Sequence, residues 1–231
     1  MRSLTLIDFK SSSAIYPEYL TQVACYFHMA IYDLSLPGIV TNVGILRLDK
    51  ETGIPEYVDC TSGLEEQWKA FQGLREYYRW IVEPEAKKDR YYKYEDRLFP
   101  SVTTILGILQ KPALPQWAAN MTIDYIRENL KEMDTDEKAE YHLKKAKTAF
   151  RTMSKKAMDT GSIVHDAIEA FLSGAKPDDI LKGNDKAETA FLAFLEWKDS
   201  VKLEVVATER ALIHPHVEVG GTCDLIAWLG E

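Results

Sequence analysis

Leu4 to Lys10 reads Leu-Thr-Leu-Ile-Asp-Phe-Lys, an apolar run that closes on two opposite charges separated by one residue. A strand sends successive side chains to opposite faces, so Asp8 and Lys10 share one face while Phe9 turns to the other. Taken alone, such a pair is an ordinary surface ion pair, which contributes little. The stretch Val219-Gly-Gly-Thr-Cys-Asp-Leu-Ile-Ala-Trp-Leu-Gly-Glu231 changes that reading, because it is a glycine-relieved strand that complements the first. Set antiparallel with Glu231 and Met1 at the turn, Gly230 meets Arg2, and counting back brings Asp224 opposite Asp8. Cross-strand partners have Cβ atoms roughly 4.5 to 5.5 Å apart. Two carboxylates that close repel each other unless a cation lies between them, and hard oxygen ligands suit Mg²⁺ or Mn²⁺. The two strands together read as a metal site.

The 231 residues are enough for one large domain with a substantial core. No apolar run is long enough to span a bilayer and the first residues read as a strand rather than a signal sequence, so no membrane association is expected. The three cysteines, Cys25, Cys60 and Cys223, are odd in number and scattered, which argues against a disulfide framework or a zinc ribbon. Cys25 and Cys223 are expected as small buried residues, in a reducing, cytoplasmic compartment. A formal net charge of -8 does not suggest a nucleic-acid binder. A cleft built from carboxylates nevertheless needs only a local basic track to meet phosphates. Lys138 to Lys156 offers one, where Lys144, Lys145, Lys147, Arg151, Lys155 and Lys156 outnumber the acids around them. A solvated helix face and a DNA-facing surface both fit that run, and its lead into Gly161 favours the second.

Between these landmarks, Pro17 to Tyr32 predicts a helix with Gln22 and Tyr26 four apart on one face. Val40 to Leu48 and Glu56 to Cys60 read as strands around the turn Asp49 to Pro55, extending the sheet. Leu64 to Val82 is an amphipathic helix whose Trp68, Phe71, Leu74, Tyr78 and Ile81 are expected in the core. Glu83 to Arg97 reads as a charged, tyrosine-rich connector. From Pro100 the chain is mainly helical: Ser101 to Leu106, Pro115 to Leu130, then a long polar helix from Thr135 to Met158. Trp117 on the second of these either packs or stacks on a base. A separate helix opens at Gly161, where the missing side chain would let it approach the sheet closely. Its buried stripe is Ile163, Val164, Ala167, Ile168 and Phe171, with His165 at the edge and Glu169 one turn on. Glu169 is open between a partner of the site and a solvated acid. Lys186 to Ser200 is a further amphipathic helix, and Glu204 to His214 a strand. His214-Pro-His216 lacks the two further ligands of a structural zinc, so both histidines read as loop residues.

Gly161-Ser-Ile-Val-His165, Glu209, Gly220-Gly-Thr-Cys-Asp224, Asp8-Phe-Lys10 and Gln22-Val-Ala-Cys-Tyr26 together resemble the motif series of RecB-like nucleases in the PD-(D/E)XK superfamily. The likeness is to phage exonucleases and to the mitochondrial genome maintenance exonuclease. Pro100-Ser-Val-Thr-Thr-Ile-Leu, followed by Leu114-Pro-Gln-Trp-Ala-Ala, resembles the opening of these exonucleases. In that family the His, Glu and Asp motifs precede the Asp-x-Lys strand, whereas here they follow it. The chain therefore looks circularly permuted, with the family's usual start near Arg97 to Thr104.

The resemblance implies an α/β fold: a restriction-endonuclease-like mixed β-sheet flanked by helices, with a helical segment inserted before the catalytic sheet motifs. It implies a single nuclease domain over 1–231, with the Asp-x-Lys half in 1–83, a connector at 84–97 and the helical segment plus the His/Glu/Asp half in 98–231. The activity implied is that of a Mg²⁺- or Mn²⁺-dependent DNA exonuclease. Asp8, Lys10 and Asp224 would be catalytic, and His165, Asp224, Asp8 and the backbone carbonyl of Phe9 would hold the metal. Lys10 would orient the attacking water or stabilise the transition state. Glu209, Gln22 and Tyr26 would support the site, and Lys144, Lys145, Lys147, Arg151 and Lys155 would meet DNA. Three scattered cysteines cannot supply the four ligands of the iron-sulfur cluster some RecB-like nucleases carry. The expected partner is single- or double-stranded DNA with free ends. A hairpin divided at its turn is also compatible with a strand-exchanged homodimer. An endonuclease of the same fold, a catalytically silent nucleic-acid-binding module and a scaffold with an acidic surface remain open.

Overall fold

Along β1 (Ser3–Lys10), Leu4 and Leu6 pack into one apolar cluster while Ile7 and Phe9 pack into another, and every residue from Leu4 to Phe9 is buried. A strand buried on both faces needs a layer on each side of its sheet. The rest of the chain supplies both in this computed structural model, which describes residues 2–85, 90–109 and 113–230. After β1, α1 (Pro17–Ala30) starts on Pro17, whose fixed φ suits a first helical position. The chain returns through β2 (Asn42–Leu48), parallel to β1, and turns back through β3 (Pro55–Asp59). α2 (Leu64–Tyr77) follows, then a hairpin of β4 (Tyr91–Tyr94) and β5 (Arg97–Pro100), and the short α3 (Val102–Leu106), which Ser101 caps by accepting from Thr104 N.

Three longer helices come next: α4 (Ala113–Asn129), α5 (Asp136–Ala146) and α6 (Ala149–Leu172). The chain closes with α7 (Asp178–Leu181), α8 (Asp185–Ser200), β6 (Lys202–His214) and β7 (Val219–Gly230). The main sheet is mixed and five-stranded, in the order β3-β2-β1-β7-β6. Residues of α1, α2 and α3 cover one face, and residues of α6, α7 and α8 cover the other.

The chain divides into two compact units, Met1–Ile108 with Ile163–Glu231, and Leu109–Ser162. The first holds the sheet and its two helical layers. The second is built from α4, α5 and the start of α6; there Thr135 caps α5 at 3.3 Å from Lys138 N, and Tyr125 Oη lies 3.3 Å from His142 Nδ1. Among the described residues, no helix is long and apolar enough to cross a membrane.

Several expectations need correction. The helix from Leu64 does not run regularly to Val82: α2 ends at Tyr77 and a π-helical turn covers Tyr78–Val82. That wider turn changes the helical phase, so Tyr78 is buried but Ile81 is 61% exposed. Within the expected connector, the described residues from Tyr91 onward form the β4–β5 hairpin; 86–89 lie outside the described residues. The polar helix from Thr135 is two helices, broken at Lys147 and Thr148. There the Thr148 hydroxyl donates to Lys145 O at 3.1 Å, a local bond that competes with helix continuation. Conversely no helix starts at Gly161, which lies inside α6. The buried stripe of Val164, Ala167 and Ile168 outweighs the roughly 1 kcal/mol cost of an interior glycine. His214 is not a loop residue but the buried end of β6, with its ring 5.1 Å from Trp68 and its Nδ1 accepting from Val217 N at 3.1 Å.

Candidate functional site

Asp8 and Lys10 leave β1 on the side that α1 covers. Lys10 Nζ lies 2.7 Å from Asp8 Oδ2 and donates to Gln22 Oε1 at 3.1 Å. The other end of the Gln22 amide donates to Tyr26 Oη at 2.8 Å and to Asp8 Oδ1 at 3.4 Å. One α1 side chain thus touches both charged residues of the strand, and Tyr26 fixes its orientation. Tyr26 can lie where it does because Gly221 of β7 has no side chain: a Cβ there would stand 2.5 Å from Tyr26 Cε1. Asp8 Oδ2 is buried against the Lys10 ammonium, which is its charge partner.

β1 and β7 pair in register from Ser3↔Leu229 to Ile7↔Leu225. The next rung would set Asp8 against Asp224, and there the ladder ends. Phe9 N–H donates to Asp224 Oδ2 at 2.6 Å, so a side-chain carboxylate takes the bond a strand carbonyl would have taken. Asp224 Oδ1 lies 3.5 Å from Nδ1 of His165, which α6 brings in from the opposite layer.

β6 adds a third group through an irregularity. Its pairs from Lys202↔Gly230 to Val205↔Ala227, continued without a break, would set Thr208 against Asp224. A bulge between Val205 and Ala207 shifts the register by one, and the resumed pairs Thr208↔Leu225 and Arg210↔Cys223 bracket Glu209 with Asp224. Glu209 adopts the left-handed conformation, φ 45°, which an L side chain takes at a cost of about 1 kcal/mol. The ligating atoms of His165, Glu209 and Asp224 all lie within 4.8 Å of one another.

The electrostatics follow from burial and crowding. Burial pushes the Asp8 carboxyl up to about 6; Lys10 opposes the shift and Asp224 adds to it. Burial works against the charged form of His165, yet Asp224 prevails and carries the imidazole up to about 9. Glu209 is pushed up to about 7, first by burial of its carboxyl and then by Asp224, although the residue as a whole reaches solvent. Burial, then the nearby Asp8, raises the Tyr26 phenol well above its usual range, so it is a neutral hydroxyl.

Asp8, Lys10, Gln22, Tyr26, His165, Glu209 and Asp224 are therefore linked in one region. The tightest cluster is His165, Glu209 and Asp224; Asp8 stands beside it, engaged with Lys10 and Gln22. The main-chain contact of Phe9 with this cluster runs through its N–H. Glu169 and Asp166 of α6 contribute to the field at Glu209. Lys144, Lys145, Lys147, Arg151 and Lys155 are exposed residues of α5, α6 and the break between them. Of these, Lys144 pairs with Glu140 at 2.8 Å, and Lys145 lies 4.5 Å from the Tyr141 ring centroid. Trp117 is half-buried on α4.

Tyr19 escapes the sequence reading: its ring centroid is 4.5 Å from Lys10 Nζ. The signal available for it is spacing, since Tyr19, Gln22 and Tyr26 fall on one helical face. Two carboxylates and an imidazole converging beside the buried Asp8–Lys10 pair form a donor set that a divalent cation accepts. Compared with protein-family models, curated proteins and solved structures, the chain matches none.

Proposed function

We propose that this protein is a Mg²⁺- or Mn²⁺-dependent deoxyribonuclease, an exonuclease acting on DNA with free ends. The proposed frame is a circularly permuted restriction-endonuclease-like fold of the PD-(D/E)XK superfamily. One observation carries the reading: His165, Glu209 and Asp224 gather within 4.8 Å at the end of the β1–β7 ladder, beside the Asp8–Lys10 pair. Structural ion pairs do not need that third strand to bulge, nor a glutamate in a left-handed conformation.

His165, Glu209 and Asp224, with the neighbouring Asp8, would hold the cation. Bound there, a divalent cation supplies a Lewis acid for a phosphoryl oxygen and acidifies a water. Asp224, tied at one oxygen to Phe9 N–H, offers the other in a fixed direction. Asp224 raises the proton affinity of His165, and the imidazole would have to release that proton to serve as a ligand. Lys10 keeps its positive charge beside Asp8 and Gln22 and is set to donate to the attacking water or to the phosphoryl oxygen that gains charge. A buried ammonium that retains its proton is an electrostatic group rather than a base. Gln22 and Tyr26 hold Asp8 and Lys10 in place. Lys144, Lys145, Lys147, Arg151 and Lys155 would meet phosphates along the strand.

The test is degradation of end-labelled linear DNA, single- and double-stranded, beside a closed nick-free circle, with Mg²⁺, Mn²⁺ or EDTA. Cleavage of linear DNA that stops in EDTA and spares the circle is expected. A cut circle would replace exonuclease by endonuclease. Binding without cleavage under every metal would leave a silent nucleic-acid-binding module, and no binding even at low salt would end the nucleic-acid reading.

A further inference from the structure

Lys10 Nζ is held from three sides: by Asp8 Oδ2 at 2.7 Å, by Gln22 Oε1 at 3.1 Å and by the Tyr19 ring with its centroid at 4.5 Å. A lysine head sits on a flexible four-carbon stem and carries three N–H donors. Two contacts leave it free to swing about the line that joins them; a third, off that line, removes the freedom. Tyr19 lies three residues before Gln22 on α1, so the same helix that presents the amide presents the ring. The ring is itself held, edge-on to Tyr16 at 5.5 Å with an interplanar angle of 82°. Tyr16 Oη in turn lies 3.2 Å from Ser13 Oγ, in the segment that leaves β1. The connection from β1 to α1 thus folds back onto the residue that ends β1. With the Lys10 side chain only 16% exposed, attraction of an ammonium to a ring face is stronger than it would be at an open surface.

We propose that Tyr19 is a positioning residue for Lys10: its ring is the third support of the ammonium and sustains the rate of the chemical step without touching DNA. The kinetic half of this rests on the reading of the site as a nuclease; the geometric half does not. In steady-state cleavage of linear DNA with Mg²⁺ or Mn²⁺, Tyr19→Leu is expected to lower kcat roughly tenfold and to leave KM within about twofold, the size of one partly desolvated cation–π contact. Tyr19→Phe keeps the ring and loses only the hydroxyl, so it should retain wild-type kcat. In NMR spectra of the metal-free protein, the Lys10 ε-methylene protons should be shifted upfield by the ring in the wild type and in Tyr19→Phe, and should lose that shift in Tyr19→Leu. Wild-type kcat in Tyr19→Leu, a change confined to KM, or unshifted ε-methylene protons in the wild type would overturn the proposal. If the wild type cleaves no DNA with any metal, the nuclease reading fails by itself, and the ring-current comparison still decides whether Tyr19 holds Lys10.

Discussion

Asp8, His165 and Glu209 are all shifted towards holding protons, to about 6, about 9 and about 7 from ordinary values of 3.8, 6.5 and 4.5. At these three groups the folded protein binds more protons than the unfolded chain between about pH 4 and 9, so the stability they contribute falls as pH rises, whereas burial lowers His214 to about 4 and also lowers His28, which acts in the opposite sense below about pH 6.5. The stabilisation from His165 is full below pH 6.5 and is lost as pH climbs through about 9. For Asp8 the penalty grows from about pH 4 to 6 and is on the order of 3 kcal/mol for a displacement of that size. Melting temperature in EDTA should thus decline from about pH 6.5 to 9, and His165→Gln should flatten that decline. A divalent cation held as proposed would take the place of those protons, so Mg²⁺ or Mn²⁺ should raise the melting temperature more at pH 8 than at pH 5. Lys10 is the remaining charge, and its removal is a different experiment: Lys10→Ala should cut kcat by about 100-fold or more while DNA affinity, measured by anisotropy in Ca²⁺, stays within a fewfold. A variant retaining more than about a tenth of wild-type turnover would remove Lys10 from the chemistry, given the usual contribution of such groups.

At the level of strands and helices, the site depends on where regular structure gives way. Glu209 reaches Asp224 because β6 carries one extra residue, and its left-handed backbone tolerates Asn better than other residues. Glu209→Asn should keep or slightly raise the melting temperature while weakening Mn²⁺ binding, read by calorimetry; a destabilised variant would mean that the carboxylate serves the fold instead. Gly221→Ala tests the packing of α1 on β7. Its new methyl would press on Tyr26 and Met29, and overpacking of this kind should cost about 1–3 kcal/mol in urea unfolding. The register of β1 with β7 is legible by counting, because a two-residue period allows no slippage once Asp8 and Leu6 must lie on one face. The β6 bulge is not legible that way: Val205, Val206 and Ala207 are all small apolar residues and none marks itself as extra. Glu209 is therefore reached through motif resemblance, not alternation. The joint at Lys147 and Thr148 is hidden for a similar reason, since its cause is a hydroxyl that picks a local carbonyl. Gly161 misleads in the other direction, because burial of the stripe after it decides the matter.

Across the whole molecule, the carboxylates of the candidate site and the basic run belong to different compact units. Asp8, Glu209 and Asp224 lie in the first unit, and Lys144, Lys145, Lys147, Arg151 and Lys155 belong to the second, together with Asp136, Glu137 and Glu140. A net charge of -8 is therefore no bar to a nucleic-acid partner. Replacing those five cations by Gln should weaken DNA binding at 50 mM salt and reduce the log–log salt slope by about 3 to 5, as expected when that many phosphate contacts are lost. Turnover at saturating DNA should change little; an unaltered slope would return the run to a solvated helix face. The site has a further property that follows from the bond between Phe9 N–H and Asp224, whose partners stand 215 positions apart. Contacts of such long range form late, because most of the chain must be ordered before the entropy of closing so large a loop is recovered. During synthesis β1 is made well before β7 and waits for it across that separation. Through that interval its apolar residues and one strand edge stand open to wrong partners.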